Sequence, residues 1–175
     1  MIKFKMTFNK DLEQDWINGL CQQGWAFVSF FAGVCTFVPC KPGEYIYQID
    51  LMPGYGLRAE DPAGYMEFME ETGVEVVQRW ARWVYLRKRA EEGPFEIYTD
   101  ADSMIDMYRR IRKMFLWFLG LELCCSASIW GQLPYGSGVT FYRAVAVIYV
   151  LLFLAVFRAM WRCSQRIQAL EQQKK

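Results

Sequence analysis

The sequence predicts an α+β protein, in which two tandem βαββ modules form a soluble head and a two-helix transmembrane hairpin follows. Three observations predict it. Strand-period and helix-period apolar patterns succeed one another in the same order twice within residues 1–98. Two apolar runs, 114–133 and 139–161, flank the turn-forming segment 134–138. Lys and Arg crowd the far ends of those runs, whereas the turn between them carries no charge.

The first module opens with Ile2, Phe4, Met6 and Phe8 alternating with Lys3, Lys5 and Thr7, the period of a half-buried strand. Asn9 is placed to cap a helix over 10–23 whose apolar stripe is Leu12, Trp16 and Leu20, and Gly24 ends it. The aromatic and β-branched runs 25–31 and 34–38, broken at Ala32-Gly33, read as a hairpin.

The order then recurs. A strand over 44–51 and a Gly- and Pro-rich loop lead to a helix over 62–72, with Tyr65, Phe68 and Met69 on one side. Gly73 ends that helix, and 74–80 with 83–88 give a second hairpin. At an offset of 49 residues, Trp16 aligns with Tyr65, Leu20 with Met69, Gly24 with Gly73, Phe27 with Val76, Phe31 with Trp80, Val34 with Trp83 and Phe37 with Leu86. The match is in residue class, as expected of an internal repeat, and each unit is too small to bury a core alone.

Beyond residue 98 the pattern returns to helix. Thr99 and Asp102 have capping-box spacing, and Met104, Tyr108, Ile111 and Phe115 line one face. The predicted layout is a cytoplasmic domain over 1–98, an amphipathic connecting helix over 99–113, spans over 114–133 and 139–161, an external turn over 134–138 and a cytoplasmic tail over 162–175. Each span is long enough, at about 1.5 Å per residue, for the roughly 30 Å hydrocarbon core. Arg109, Arg110, Arg112 and Lys113 precede the first span, and Arg158, Arg162, Arg166, Lys174 and Lys175 mark the end of the second. Both termini are therefore predicted to be cytoplasmic, and no apolar leader is predicted at the N-terminus.

Charge divides the chain in the same way. Residues 1–106 hold 10 Lys/Arg against 17 Asp/Glu, a difference of −7, and residues 107–175 hold 10 against 2, a difference of +8. An acidic head argues against nucleic acid as a partner. Histidine is absent, which removes His-dependent nucleophile pairs, H-E-x-x-H zinc sites and a His general base. Neither a G-x-x-x-x-G-K-[ST] loop nor a G-x-G-x-x-G turn occurs. Cys21, Cys35, Cys40, Cys124, Cys125 and Cys163 contain no C-x-x-C pair and are expected as free thiols. A non-enzymatic protein without cofactor or metal is predicted.

The segments Trp16-Ile17-Asn18 through Gly24-Trp25, Gly43 through Asp50, Glu96-Ile97-Tyr98-Thr99-Asp100 and Met107 through Ile111 make the chain resemble a family of small bacterial membrane proteins known as the domain of unknown function 2812. The resemblance implies no activity. At the level of fold, tandem βαββ modules are similar to ferredoxin-like and GyrI-like domains, and the latter hold hydrophobic or cationic ligands between repeats. That likeness makes Trp25, Tyr45, Tyr47, Trp80, Trp83 and Tyr85 candidate ligand-binding residues, with Glu44 or Glu75 as an anionic partner. Filling of the core is the competing use of the same rings.

Glu122, inside the first span, is a candidate proton- or cation-linked or inter-protomer site, against a protonated carboxyl bonded to Ser126. Arg109, Arg110, Arg112 and Lys113 are candidates for anionic lipid, although orientation of the span accounts for them equally. Two readings of function follow. One is a membrane-anchored sensor or protein-interaction module with a cytoplasmic ligand- or partner-binding domain. The other is an accessory subunit or regulator of a membrane transporter, acting through the hairpin. The partners implied are the lipid bilayer, a second copy or another membrane protein, and a hydrophobic small molecule.

Overall fold

The computed structural model describes residues 1–55, 58–132 and 139–174, and the side chains within them except those of 55, 128–132, 139 and 142. The chain divides into two compact units, Met1–Met104 and Ile105–Lys175.

In the first unit the elements run β1 (Ile2–Phe4), α1 (Lys10–Gln22), β2 (Trp25–Phe31), β3 (Val34–Pro39), β4 (Tyr45–Leu51), the short ribbon β5 (Gly54–Tyr55) and β6 (Arg58–Ala59), α2 (Pro62–Glu71), β7 (Glu75–Trp80) and β8 (Trp83–Arg89). Strand, helix, strand, strand thus occurs twice, with the β5–β6 ribbon inserted in the second round. Two three-stranded antiparallel sheets result, in the orders β1-β3-β2 and β4-β8-β7, so that in each the third strand of its set lies in the centre. The likeness extends to irregularities. The bulges at Phe27/Ser29 and Val76/Gln78 and the left-handed alanines Ala32 (φ 47°) and Ala81 (φ 53°) are both 49 residues apart.

Local chemistry explains the helix limits. Asn9 Oδ1 accepts from the backbone N–H of Asp11 and Leu12, and Gly24 takes the left-handed conformation just past the end of α1. Asp61 Oδ1 accepts from Gly64 N, ahead of Pro62 at the first helical position, and Gly73 repeats the role of Gly24.

Each sheet packs its own helix on the equivalent face. Phe27, Cys35 and Phe37 of the first sheet meet Ile17, Leu20 and Cys21 of α1. Val76, Val84 and Leu86 of the second sheet meet Met69 and Tyr65 of α2, with Phe95 and Ile97. The other face of the second sheet, through Tyr47, Ile49 and Tyr85, joins the α1 core. The second sheet is therefore covered on both faces, and the first on one only.

Two expectations for the first module are corrected. The stripe of α1 keeps Trp16 and Leu20 and adds Ile17 and Cys21, leaving Leu12 exposed. The reason is that α1 faces two sheets, and Gln14 and Asn18 turn towards β4. The opening strand is shorter than the alternation suggested, and its apolar side is outward: Ile2 is 73% and Phe4 71% exposed, while Lys5 reaches inward to Trp16. The inner face is already filled by rings from β2 and β3, so the alternating apolar set lines the free side.

The second unit holds most of α3 (Ala101–Gln132) and all of α4 (Val139–Gln173). The N-terminal cap of α3 is Asp100, whose Oδ1 accepts from Ser103 N at 2.7 Å, rather than the Thr99 that the capping-box spacing suggested. The cap is thus shifted by one residue, from the Thr99–Asp102 pair to Asp100 and the N–H of Ser103. Among the described residues one helix, Arg143–Gln173, is long and apolar enough to cross a membrane, where the sequence predicts two. The apolar stretch of α3 begins only after Lys113 and carries Glu122. The turn predicted over 134–138 lies outside the described residues. Arg109 Nη2 meets Glu171 Oε1 at 3.2 Å, which sets the start of α3 beside the end of α4, antiparallel. Buried Ile111, Phe115 and Leu119 on α3 and Val156, Ala159, Cys163 and Ile167 on α4 recur at three- and four-residue spacing, the stripe of a packed helix pair.

Candidate functional site

The structure brings five of the six candidate aromatic residues together in one core and leaves Trp80 at its margin. Tyr45, Tyr47, Trp83, Tyr85 and Trp80 share one face of the second sheet, as the pairings Tyr47 with Arg87, Ile49 with Tyr85 and Trp80 with Trp83 require. Trp25 comes from β2 of the facing sheet. Tyr47 and Tyr85 are buried, Trp25, Tyr45 and Trp83 half-buried around them, and Trp80 is exposed beside Phe30. Phe27 stacks on Tyr85 at 4.9 Å and meets Phe37 and Tyr47 edge-on at 5.7 and 6.2 Å. These rings fill one another's space, the arrangement in which edge and face quadrupoles attract.

Polar groups fix this core. The Tyr47 hydroxyl accepts from Phe27 N at 3.0 Å, and burial pushes its pKa up to about 12. The Tyr85 hydroxyl donates to Glu13 Oε1 at 2.8 Å. Burial raises the Glu13 pKa, opposed by that hydrogen bond and by the charge of Lys5. Burial, followed by the charge of Glu13, pushes the Cys35 thiol up to about 11 and leaves it a poor nucleophile. Along β4, an edge strand, Asn18 Oδ1 accepts from Tyr47 N at 2.8 Å, Asn18 Nδ2 donates to Tyr47 O at 3.0 Å, and Gln14 Oε1 accepts from Ile49 N at 3.1 Å. Side-chain amides of α1 thus stand in for a neighbouring strand. At the two inner edges Gln78 Nε2 donates to Phe30 O at 2.7 Å, and its Oε1 accepts from Phe30 N.

At the rim, the guanidinium of Arg87 lies 4.4 Å from the Tyr45 ring centroid and pairs with both carboxylate oxygens of Glu75, at 2.7 and 2.8 Å. An aromatic face with an anion beside it is the arrangement that selects a cation, and here the chain supplies its own. Glu44, the other candidate anion, accepts from Lys41 N, an interaction that holds its pKa below the ordinary carboxylate value.

Sequence reasoning missed a second constellation. Asp50 is fully buried on the α2 side of β4, and its Oδ2 accepts from the hydroxyls of Tyr65 at 2.8 Å and Tyr98 at 2.9 Å. Two residues after Asp50, Met52 O accepts from Nε and Nη2 of buried Arg82. Asp50 closes the segment Gly43 through Asp50 and Tyr98 sits in Glu96-Ile97-Tyr98-Thr99-Asp100, two segments that carry the family likeness. That coincidence was the available signal. Both hydroxyls are committed to the carboxylate, so the set acts as a clamp between β4, α2 and residues 95–98.

The free face of the first sheet is apolar and exposed. Register aligns Ile2 with Thr36, Phe4 with Val34 and Phe31 with Val34, and Val38 lies two residues on, all on one side. Phe31 is 73% exposed, and Val34 and Val38 are exposed as well. An apolar strip of this kind on a soluble surface marks an interaction site.

In the second unit, Ser126 Oγ donates to Leu123 O at 2.8 Å rather than to Glu122, whose buried Oε1 has no partner among the described residues. Arg109 is held by Asp106 and Glu171, each at 3.2 Å, whereas Lys113 is exposed and Arg110 and Arg112 are half-buried.

A protein family described as "Protein of unknown function (DUF2812)" matches residues 9–119, which takes in α1, both hairpins, the Asp50 clamp and the first part of α3. No curated protein and no solved structure matches the chain.

Proposed function

The chain belongs to the DUF2812 family, a family of unknown function, and from that premise we propose that it is a membrane-anchored, non-enzymatic protein-interaction module whose head faces the cytoplasm. The observation that carries this reading is the open apolar face formed by Ile2, Phe4, Phe31, Val34 and Val38. Exposed apolar area of that kind costs free energy in water unless a partner covers it, at about 25 cal/mol per Å². A ligand cleft among Trp25, Tyr45, Tyr47, Trp80, Trp83 and Tyr85 has less support, because those rings already pack on one another and Arg87 occupies the cation position over Tyr45.

The anchor in this proposal is a two-span hairpin with both termini cytoplasmic. Exposed Leu116, Trp117, Phe118, Leu121 and Leu123 on α3 support a second lipid-facing helix, and the Arg and Lys residues before α3's apolar stretch and along the end of α4 support the orientation. The test is co-purification from native membranes. Phe31→Asp should abolish recovery of a protein partner, whereas Phe68→Asp, on the exposed side of α2, should leave it intact. Equal recovery from both variants overturns the proposal.

A transporter-subunit reading is favoured by one specific observation, the buried Glu122 Oε1 that lacks a partner among the described residues. It prevails if Glu122→Gln abolishes recovery of the partner and Phe31→Asp does not.

A further inference from the structure

Resting on the membrane-anchored reading, we infer that Arg158, Arg162 and Arg166 of α4 form a binding face for acidic phospholipid, held by its phosphate at the cytoplasmic boundary of the bilayer. The three residues stand at i, i+4 and i+8 and so share one face of the helix, on which Arg158 and Arg166 are exposed and Arg162 is half-buried. Residues 139–170 contain no Asp or Glu. Neither Arg158 nor Arg162 makes an ion pair among the described residues, so nothing in the chain offsets the repulsion between these two like charges at four-residue spacing. The run before the first apolar stretch is placed differently, because its Arg109 is already held by Asp106 and Glu171.

The packing of α3 on α4 sets the depth of this face. With Arg109 level with Glu171, Trp117 and Trp161 lie about 12 and 15 Å further along the pair at a rise of about 1.5 Å per residue, so the two indoles stand at nearly one height. Trp117 is 67% and Trp161 55% exposed, and beyond them Leu121, Leu123, Leu151 and Leu154 are exposed as well. Exposed tryptophans at one height, with apolar side chains on one side and cations on the other, are the belt of a bilayer interface. Arg162 and Arg166 then lie about 1.5 and 7.5 Å to the headgroup side of Trp161, and Arg158, about 4.5 Å to the apolar side, reaches the same layer by snorkelling. Orientation of a span requires cations on the cytoplasmic side and does not require three on one face. Guanidinium groups pair with phosphate through two parallel hydrogen bonds, and a zwitterionic headgroup carries its own cation beside the phosphate, which the arginines repel. An acidic phospholipid carries none.

The test is native mass spectrometry of the full chain in uncharged detergent, given equal amounts of phosphatidylglycerol and phosphatidylcholine. The expected result is retention of phosphatidylglycerol over phosphatidylcholine, with the ratio falling about fivefold for each arginine removed in Arg158→Gln with Arg162→Gln. Arg112→Gln with Lys113→Gln removes the same charge from α3 and should leave the ratio nearly unchanged. Equal retention of the two lipids by the parent chain overturns the inference and leaves the anchor standing. An equal fall in both double variants overturns the assignment to this face of α4, since general attraction then suffices. Displacement of phosphatidylglycerol by inorganic phosphate overturns the lipid as the source of the anion. A chain that stays monodisperse without detergent and retains neither lipid overturns the inference and the membrane anchor together.

Discussion

The hydroxyl of Tyr98 donates to Oδ2 of Asp50 at 2.9 Å, fastening the segment before α3 to strand β4. The same oxygen accepts from Tyr65 of α2, so one buried carboxylate ties three pieces of chain together. Removing one hydroxyl takes a hydrogen bond from a buried carboxylate, a loss of about 1–3 kcal/mol. Tyr98→Phe is expected to destabilise the head by that amount, and Tyr65→Phe in the same direction. Urea unfolding of the full chain in mild detergent, followed by tryptophan fluorescence, measures it. A change below about 0.5 kcal/mol shows that the clamp contributes nothing net.

Asn18 makes a prediction of its own, because it bonds both the N–H and the C=O of Tyr47 on the edge of the second sheet. Asn18→Ala leaves two half-buried backbone groups without their partner and is expected to cost about 2–3 kcal/mol. Asn18→Asp keeps the acceptor for Tyr47 N and should cost less. Hydrogen exchange at the Tyr47 amide should quicken in Asn18→Ala, and unchanged protection would mean that water substitutes for the side chain.

These two contacts show what the sequence carried and what it did not. Element order was legible because strand and helix periods differ, and because Gly24, Gly73, Asn9 and Asp61 punctuate the chain with residues of defined backbone chemistry. The facing of elements was not, since the sequence treats α1 as an ordinary amphipathic helix while its polar residues Gln14 and Asn18 serve an edge strand contributed by the other module. For the same reason the apolar side of β1 read as core. Periodicity reveals that a strand has two unlike faces, and only packing decides which is covered. The aromatic candidates were located on the right strands, yet their conversion from cleft to core depends on contacts such as Phe27 on Tyr85, across 58 residues of sequence.

Glu13 predicts a dependence on pH. Burial raises its pKa in the folded protein, opposed by the Tyr85 hydrogen bond and by Lys5. A carboxyl with a raised folded pKa contributes its full stabilisation below the unfolded value of about 4.3, and loses it as the pH rises through the folded value. Glu13→Gln removes that titration while keeping an oxygen to accept from Tyr85. The stability of the variant relative to the parent chain should therefore improve as the pH is raised from 4 to 7. A difference that stays flat over this range would show that Glu13 ionises in the folded head as it does in water.

The paired alanines at the hairpin tips give the sharpest test of likeness between the modules. Ala32 and Ala81 adopt φ of 47° and 53° at the first turn position after β2 and after β7. In that region an L side chain brings its Cβ against the following carbonyl, at about 1–2 kcal/mol, while glycine does not. Glycine loses more chain entropy on folding, which offsets about 0.5–1 kcal/mol of the relief. Ala32→Gly and Ala81→Gly are each expected to stabilise the head by up to about 1 kcal/mol, and by similar amounts, because each sits in a two-residue turn between antiparallel strands. Thermal unfolding of the full chain in detergent, compared for the two variants, checks this. A gain at one tip with a loss at the other would mean that one alanine methyl packs against a neighbour, and that the turns are alike in backbone only.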